Sequence, residues 1–258
     1  MSMVWDIALA ALAAAYAFGW RRTALYPSSA ARLAAFLTGV VALWAAVASP
    51  IAHLDRGHLT GHMIQHLLLM TLAAPLLLWG EPVRVFHQGF RGEASAPRWR
   101  SPNPVLCWFV GTFIVIVWHV PALFTFGMRW HGLQQVTFLV AGLLFWLPVI
   151  RPWPTVAHWP SWSIPLYLFL ATLPCDALSA FLVYCGRVVY PQYGALHAGC
   201  NMSVSALEDQ QRAGALMWFW VTFAYLVPAV LVTIGLLAPP KSLGAPFGGG
   251  RVPDGGSL

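Results

Sequence analysis

Long apolar runs separated by short polar connectors make up most of the chain. A helix that crosses a bilayer needs about 20 mainly apolar residues. Seven runs qualify, at about 3–19, 30–49, 61–79, 104–126, 132–150, 162–184 and 213–237. The third opens with His62 and His66 before a very apolar remainder, Leu67 to Trp79. Pro174, Cys175 and Asp176 interrupt the sixth. The pattern predicts an all-α, polytopic integral membrane protein with seven transmembrane helices over residues 1–238. The remaining stretch, 239–258, is rich in Gly and Pro and is expected to be a disordered cytoplasmic tail. No internal repeat is visible.

Seven spans place the two termini on opposite sides, and the positive residues choose which. With the N-terminus outside, the internal segments carry Arg21, Arg22, Arg32, Arg84, Arg91, Arg98, Arg100, Arg151, Lys241 and Arg251. The external segments carry only Arg56, Arg129, Arg187 and Arg212. Positive charge collects on the cytoplasmic side, so the bias predicts N-terminus out and C-terminus in. The first run follows an uncharged start, Met1-Ser2-Met3-Val4-Trp5, and lacks an obvious cleavage site, so it reads as a retained helix.

Composition agrees with a lipid environment. Only 9% of the residues are charged and 59% are hydrophobic, whereas a soluble domain carries about 25% charged residues. Fourteen Trp and seven Tyr suit interfacial belts. The net charge of +6 comes from connectors and forms no continuous basic stripe, so nucleic acid is not an expected partner. The four Cys are too few and too scattered for a disulfide framework. Cys185 and Cys200 share one connector, where two free thiols are expected and a pair is the alternative.

The unusual residues are those placed inside the apolar runs. At 1.5 Å per residue, His66 lies roughly 8 Å deep from the external end, and His119, on the fourth run, about 10 Å deep. Asp176 maps to a similar depth, and Met217 to one turn inside the seventh run. Ionisable residues within a bilayer are costly and by default functional or internally paired. His58, His62 and His66 share a helix face at four-residue spacing. Imidazole suits Cu, Zn, Fe and Ni, and thioether prefers Cu(I). The candidate metal ligands are therefore His62, His66, His119, Met217 and Asp176. Met70 continues the histidine face, while Met63 lies off it. Two interfacial histidines and one core histidine bonded to backbone remain the structural alternative, and Asp176 has its own in a pairing with Arg187 or a histidine. His197, Cys200 and Met202 form a looser trio in the last external connector.

Other chemistries lack their motifs. There is no phosphate-cradling Gly-x-x-x-x-Gly-Lys and no Cys-x-x-Cys-His for covalent haem. No catalytic triad stands out, so the chain is not expected to be an enzyme.

Several motifs follow one another in a specific order. They are Ser49-Pro50, Gly61-His62-Met63-Ile64-Gln65-His66-Leu67-Leu68-Leu69, Ala74-Pro75-Leu76-Leu77-Leu78 and Gly80-Glu81-Pro82. Trp118-His119-Val120-Pro121, Leu143-Leu144-Phe145-Trp146-Leu147-Pro148, Tyr190-Pro191-x-Tyr193 and Asp209-Gln210-Gln211-x-x-Gly214-x-x-Met217-Trp218 follow. Over about residues 45–235 the chain resembles the multispanning CtaG family, assembly factors of caa-type cytochrome c oxidases. The resemblance implies a role in oxidase maturation through copper handling, in a bacterial inner membrane. It implies oxidase subunits as partners alongside the lipid bilayer, and a periplasmic copper chaperone as a candidate donor. One departure stands out. Where family members often read His-x-Leu-Glu-His, this chain has His131-Gly132-Leu133-Gln134-Gln135, and amide oxygens are poor ligands for a soft ion.

The sequence therefore points to an assembly factor that binds copper, as Cu(I), and delivers it from the external third of the membrane. The alternatives are a copper or proton-coupled transporter, and a haem protein using His62 or His66 with His119 as axial ligands.

Overall fold

The computed structural model describes residues 2–22, 29–50, 52, 57–91, 99–100, 102–152, 154–156, 159–193 and 204–238. The tail 239–258, His53, His197, Cys200 and Met202 lie outside the described residues. The elements run α1 (Ser2–Arg22), α2 (Ser29–Val47), α3 (Leu59–Leu67), a π-helical segment (Leu68–Ala73), α4 (Ala74–Trp79) and α5 (Pro82–Arg91). Then come α6 (Pro104–His119), α7 (Pro121–Arg129), α8 (His131–Ile150), α9 (Ser163–Tyr184) and α10 (Ala206–Leu237). Two-residue strands β1 (Trp99–Arg100) and β2 (Thr155–Val156) pair in parallel between helices. Among the described residues, six helical stretches are long and apolar enough to cross a membrane, with Leu59–Phe90 counted as one, or seven if α6 and α7 together make one broken span. Large apolar side chains line the outside of the bundle, such as Phe109, Phe113 and Ile116 on α6 and Phe219, Phe223 and Val230 on α10. In water that surface would be untenable, whereas lipid needs no polar coat.

Two expectations about span shape change. The fourth apolar run is not one helix to residue 126, because α6 stops at His119 and α7 leaves it at 89°. Pro121 explains the break. It has no N–H to continue the ladder, and it forces Val120 into an extended conformation (φ −67°, ψ 124°). The sixth run, by contrast, is continuous, and α9 carries Pro174 in its interior. The last helix also begins earlier than its apolar stretch. Ser205 caps it by accepting from the Glu208 N–H, so Asp209, Gln210 and Gln211 are helical.

Three features set the position of α3. First, Pro75 cannot donate to the carbonyl of Met70, its π-helical partner five residues back. The indole N–H of Trp146 on α8 fills that place at 2.9 Å. Gly142 permits the approach, since a Cβ there would lie 2.9 Å from Met70 Cα. Second, the buried carboxylate of Asp209 accepts from the Leu59 N–H at 2.6 Å and the Thr60 hydroxyl at 2.7 Å. His58, the N-cap residue, makes no side-chain cap of its own, so a neighbouring helix supplies it. Third, Trp220 Nε1 donates to Thr71 Oγ1 at 2.7 Å. The Asp209–Thr60 and Trp220–Thr71 pairs are both 149 residues apart in sequence, so α10 runs parallel to α3 and the π-helical segment that continues it, in a fixed register.

The opposite end of the bundle is held differently. Glu81, at φ 51°, receives Arg32 at 2.9 Å and Arg84 at 3.2 Å, while Tyr16 donates to the Gly80 carbonyl at 2.6 Å.

Candidate metal centre

His62 and His66 occupy successive turns of α3, and His119 is the last residue of α6. The three imidazoles bring one nitrogen each to within 4.8 Å of one another. Their ring centroids are 5.5, 5.7 and 5.2 Å apart, a nearly equilateral triangle. All three are buried, at 2–4% exposure.

Part of the hydrogen-bonding capacity of this cluster is unused. His119 Nδ1 lies 2.7 Å from the Val115 carbonyl, which fixes the Nδ1–H tautomer and leaves the Nε2 lone pair free. Among the described residues, His119 Nε2 and His62 Nε2 have no hydrogen-bond partner, and both are buried. A buried polar atom without a partner costs about 1–3 kcal/mol. Two of them facing a third imidazole are ill-suited to a purely structural core and well suited to a cation. A ring nitrogen anchored on a carbonyl with the other nitrogen open is the arrangement found behind metal-binding histidines.

Apolar groups close the shell. Phe138 on α8 stacks on His66 at 5.2 Å, and Phe124 on α7 meets His62 at 4.8 Å. The turn after His119 is held by Tyr190, whose hydroxyl donates to the His119 carbonyl at 2.9 Å. That carbonyl lost its helical partner when the chain broke at Pro121. Burial pushes the ionisation of Tyr190 well up, so it stays protonated and keeps donating. The bend therefore both ends α6 at the ligand and folds Phe124 back over the site.

A haem between two of these histidines does not fit the geometry. Whichever pair is taken as axial, the third imidazole stands about equally far from both, in the plane that the macrocycle would occupy.

The other candidates are placed separately. Asp176 is not a member of the group. Its side chain lies against Thr172 and Thr222. Through the α3–α10 register, Thr222 is level with Ala73, roughly 10 Å further along the bundle than His66. The depth expectation for Asp176 fails because α9 ends level with the histidines: a Cβ at Gly214 would meet Leu182 Cβ at 2.9 Å. Met217 is fully buried on α10, in register with Leu68 and roughly 3 Å beyond the level of His66. Met63, read as off the face, has its sulfur 3.1 Å from His66 Nε2.

The two glutamines of the altered segment lie near the start of α8, ahead of Phe138. Gln135 Nε2 lies 2.8 Å from His131 Nε2, and Gln134 is buried with Nε2 unpartnered. Gln65 bonds the Ala46 carbonyl at 2.7 Å and lies 3.4 Å from His131. Cys185 is a free thiol.

Two residues with structural duties were not identifiable from hydropathy. Asp209 fastens α3 as described. Gln210 accepts from the Val189 N–H at 2.7 Å and donates to the carbonyls of Arg187 (3.1 Å) and Leu182 (3.3 Å). A polar pair at the head of an apolar helix was the available signal.

Residues 14–238 match the family described as cytochrome c oxidase caa3 assembly factor. An uncharacterized protein of Mycobacterium leprae (strain TN) is 26% identical over 229 residues, which cover 80% of this chain and 34% of that protein. The chain thus spans about a third of the length of that curated relative. No solved structure matches. With most of its length matched, and with the His62–His66–His119 centre inside the matched region, the chain belongs to the caa3 cytochrome c oxidase assembly factor family.

Proposed function

We propose that this protein is a non-enzymatic assembly factor of the bacterial inner membrane that carries copper as cargo to a haem-copper cytochrome c oxidase. His62, His66 and His119 hold the ion as Cu(I), and the site lies toward the external side. The carrying observation is the trio of buried imidazoles within 4.8 Å, two of them with unpartnered Nε2 atoms.

Charge supports the monovalent ion. The group contains no carboxylate, so the ion's own charge is the charge of the site. The penalty for desolvating an ion scales with the square of its charge, so Cu(I) costs about a quarter of what a divalent ion of similar size would. Neutral nitrogen ligands with an apolar wall also favour a soft ion over Mg or Ca. The external placement is supported by the excess of Lys and Arg in connectors at the other end of the bundle. Oxidase subunits are the clients, and a periplasmic copper chaperone is the donor in this reading.

The test is anaerobic loading of the full-length protein with Cu(I), followed by metal analysis. One copper per chain is expected, lost in His62→Ala, His66→Ala and His119→Ala. In cells lacking the protein, oxidase copper content should be restored by the wild type and not by these variants. A wild-type protein that takes up no Cu(I) overturns the copper step.

A further inference from the structure

We propose that Met63 supplies a fourth ligand, its thioether sulfur, to the ion held by His62, His66 and His119, and that this sulfur makes the centre select Cu(I) over Zn(II). The inference rests on the copper reading above and adds to it a residue and a basis for discrimination.

Helical geometry places Met63 beside the histidines. Residues advance about 100° each, so His66 sits between the other two, about 40° from His62 and about 60° from Met63. The three side chains form one patch across a single turn of α3. Met63 is fully buried, and its Sδ stands 3.1 Å from His66 Nε2. Two atoms bound to one ion at about 2.0 Å (nitrogen) and about 2.3 Å (sulfur) are about 3.5 Å apart at a tetrahedral angle. A shift of a few tenths of an ångström, within the reach of an unbranched side chain with three rotatable bonds, converts the observed contact into shared ligation.

The contact also differs from ordinary core packing. A methionine that fills a core rests its sulfur at the edge of an aromatic ring, about 5 Å from the ring. Here the sulfur addresses a ring nitrogen instead. Met217 is as fully buried and Met70 nearly so, but among the described residues it is the Met63 sulfur that lies against a ring nitrogen of one of the three histidines.

Chemistry then decides the preference. A thioether is neutral, so it completes the coordination without adding charge to a desolvated pocket. It is a soft ligand that favours Cu(I), while Zn(II) sites are built from thiolate, imidazole and carboxylate. Three nitrogens alone would accept Zn(II); the fourth, sulfur position separates the two ions.

Copper K-edge X-ray absorption on the anaerobically Cu(I)-loaded, full-length protein tests this directly. The wild type should show a sulfur neighbour at about 2.3 Å, retained in Met217→Leu and Met70→Leu and absent in Met63→Leu. Competition with a chromophoric Cu(I) chelator should show at least about a tenfold loss of Cu(I) affinity in Met63→Leu, a loss typical even of groups that only support a ligand. Zn(II) affinity should be unchanged. Copper with nitrogen neighbours alone in the wild type overturns the proposal and leaves the histidine centre standing. So does a sulfur signal that survives Met63→Leu. A wild type that binds no Cu(I) overturns the copper reading beneath it as well. Leu is close to Met in volume, and the wild-type spectrum counts sulfur without any variant, so a folding defect does not mask the answer.

Discussion

Asp209 and Gln210 on α10, and His62 and His119 across from them, are all buried polar residues at the same end of the bundle. They use their polar atoms in opposite ways. Asp209 accepts from Leu59 and Thr60, and Gln210 serves the backbone of Val189, Arg187 and Leu182. His62 and His119 leave Nε2 without a partner. Saturated polar groups fasten helices whose exposed backbone ends lipid cannot satisfy. Unsaturated ones are tolerable where something else completes them. At this end of the bundle, the state of these polar atoms separates the two fastening residues from the two open imidazoles.

That contrast can be tested by removing one side of it at a time. The largest effect is expected on the open side. His119→Leu should weaken Cu(I) binding by about a thousandfold, on the order of 4 kcal/mol, as read by chelator competition. Its apo stability should hardly change, because removal of the unpartnered Nε2 offsets loss of the Nδ1 bond to the Val115 carbonyl. A large drop in unfolding temperature would show that the nitrogen is structural after all. On the saturated side, Asp209→Ala strands the Leu59 N–H and the Thr60 hydroxyl, and should lower stability by about 3 kcal/mol in detergent unfolding. Unchanged stability, with unchanged hydrogen exchange at Leu59, would remove Asp209 from the scaffold. Tyr190→Phe deletes one bond to the His119 carbonyl and should cost about 1 kcal/mol, together with a small loss of copper affinity as the bend loosens. The smallest effect is expected from Gln134→Leu. It replaces an amide whose Nε2 has no partner and should fall within about 0.5 kcal/mol of neutral or be stabilising.

Much of this arrangement was legible in the sequence, and its failures have physical causes. Hydropathy located the spans because lipid exposure demands long apolar runs. The same depth argument that brought His62, His66 and His119 together misplaced Asp176. It assumed that every helix reaches the same plane, whereas α9 stops at the level of the histidines. The break after His119 was written in Val120-Pro121, but an apolar run hides it, since hydropathy does not register a missing N–H. Met63 was set aside because four-residue spacing emphasises His62 and His66, although three-residue neighbours touch equally well. Asp209 and Gln210 were invisible as clamps because their partners are backbone groups on distant segments, fixed only when the helices pack.

The carboxylate that caps α3 has a second effect, on the electric field at the metal centre. The start of a helix carries roughly half a positive charge, and His62 lies within the first turn of α3. Left alone, that end would push a cation away from the ligand. Asp209, with one oxygen 2.6 Å from the Leu59 nitrogen, sets a carboxylate against that end and offsets it. The fastening that orients the histidines thus also makes their surroundings hospitable to a positive ion, without putting a carboxylate on the ion itself.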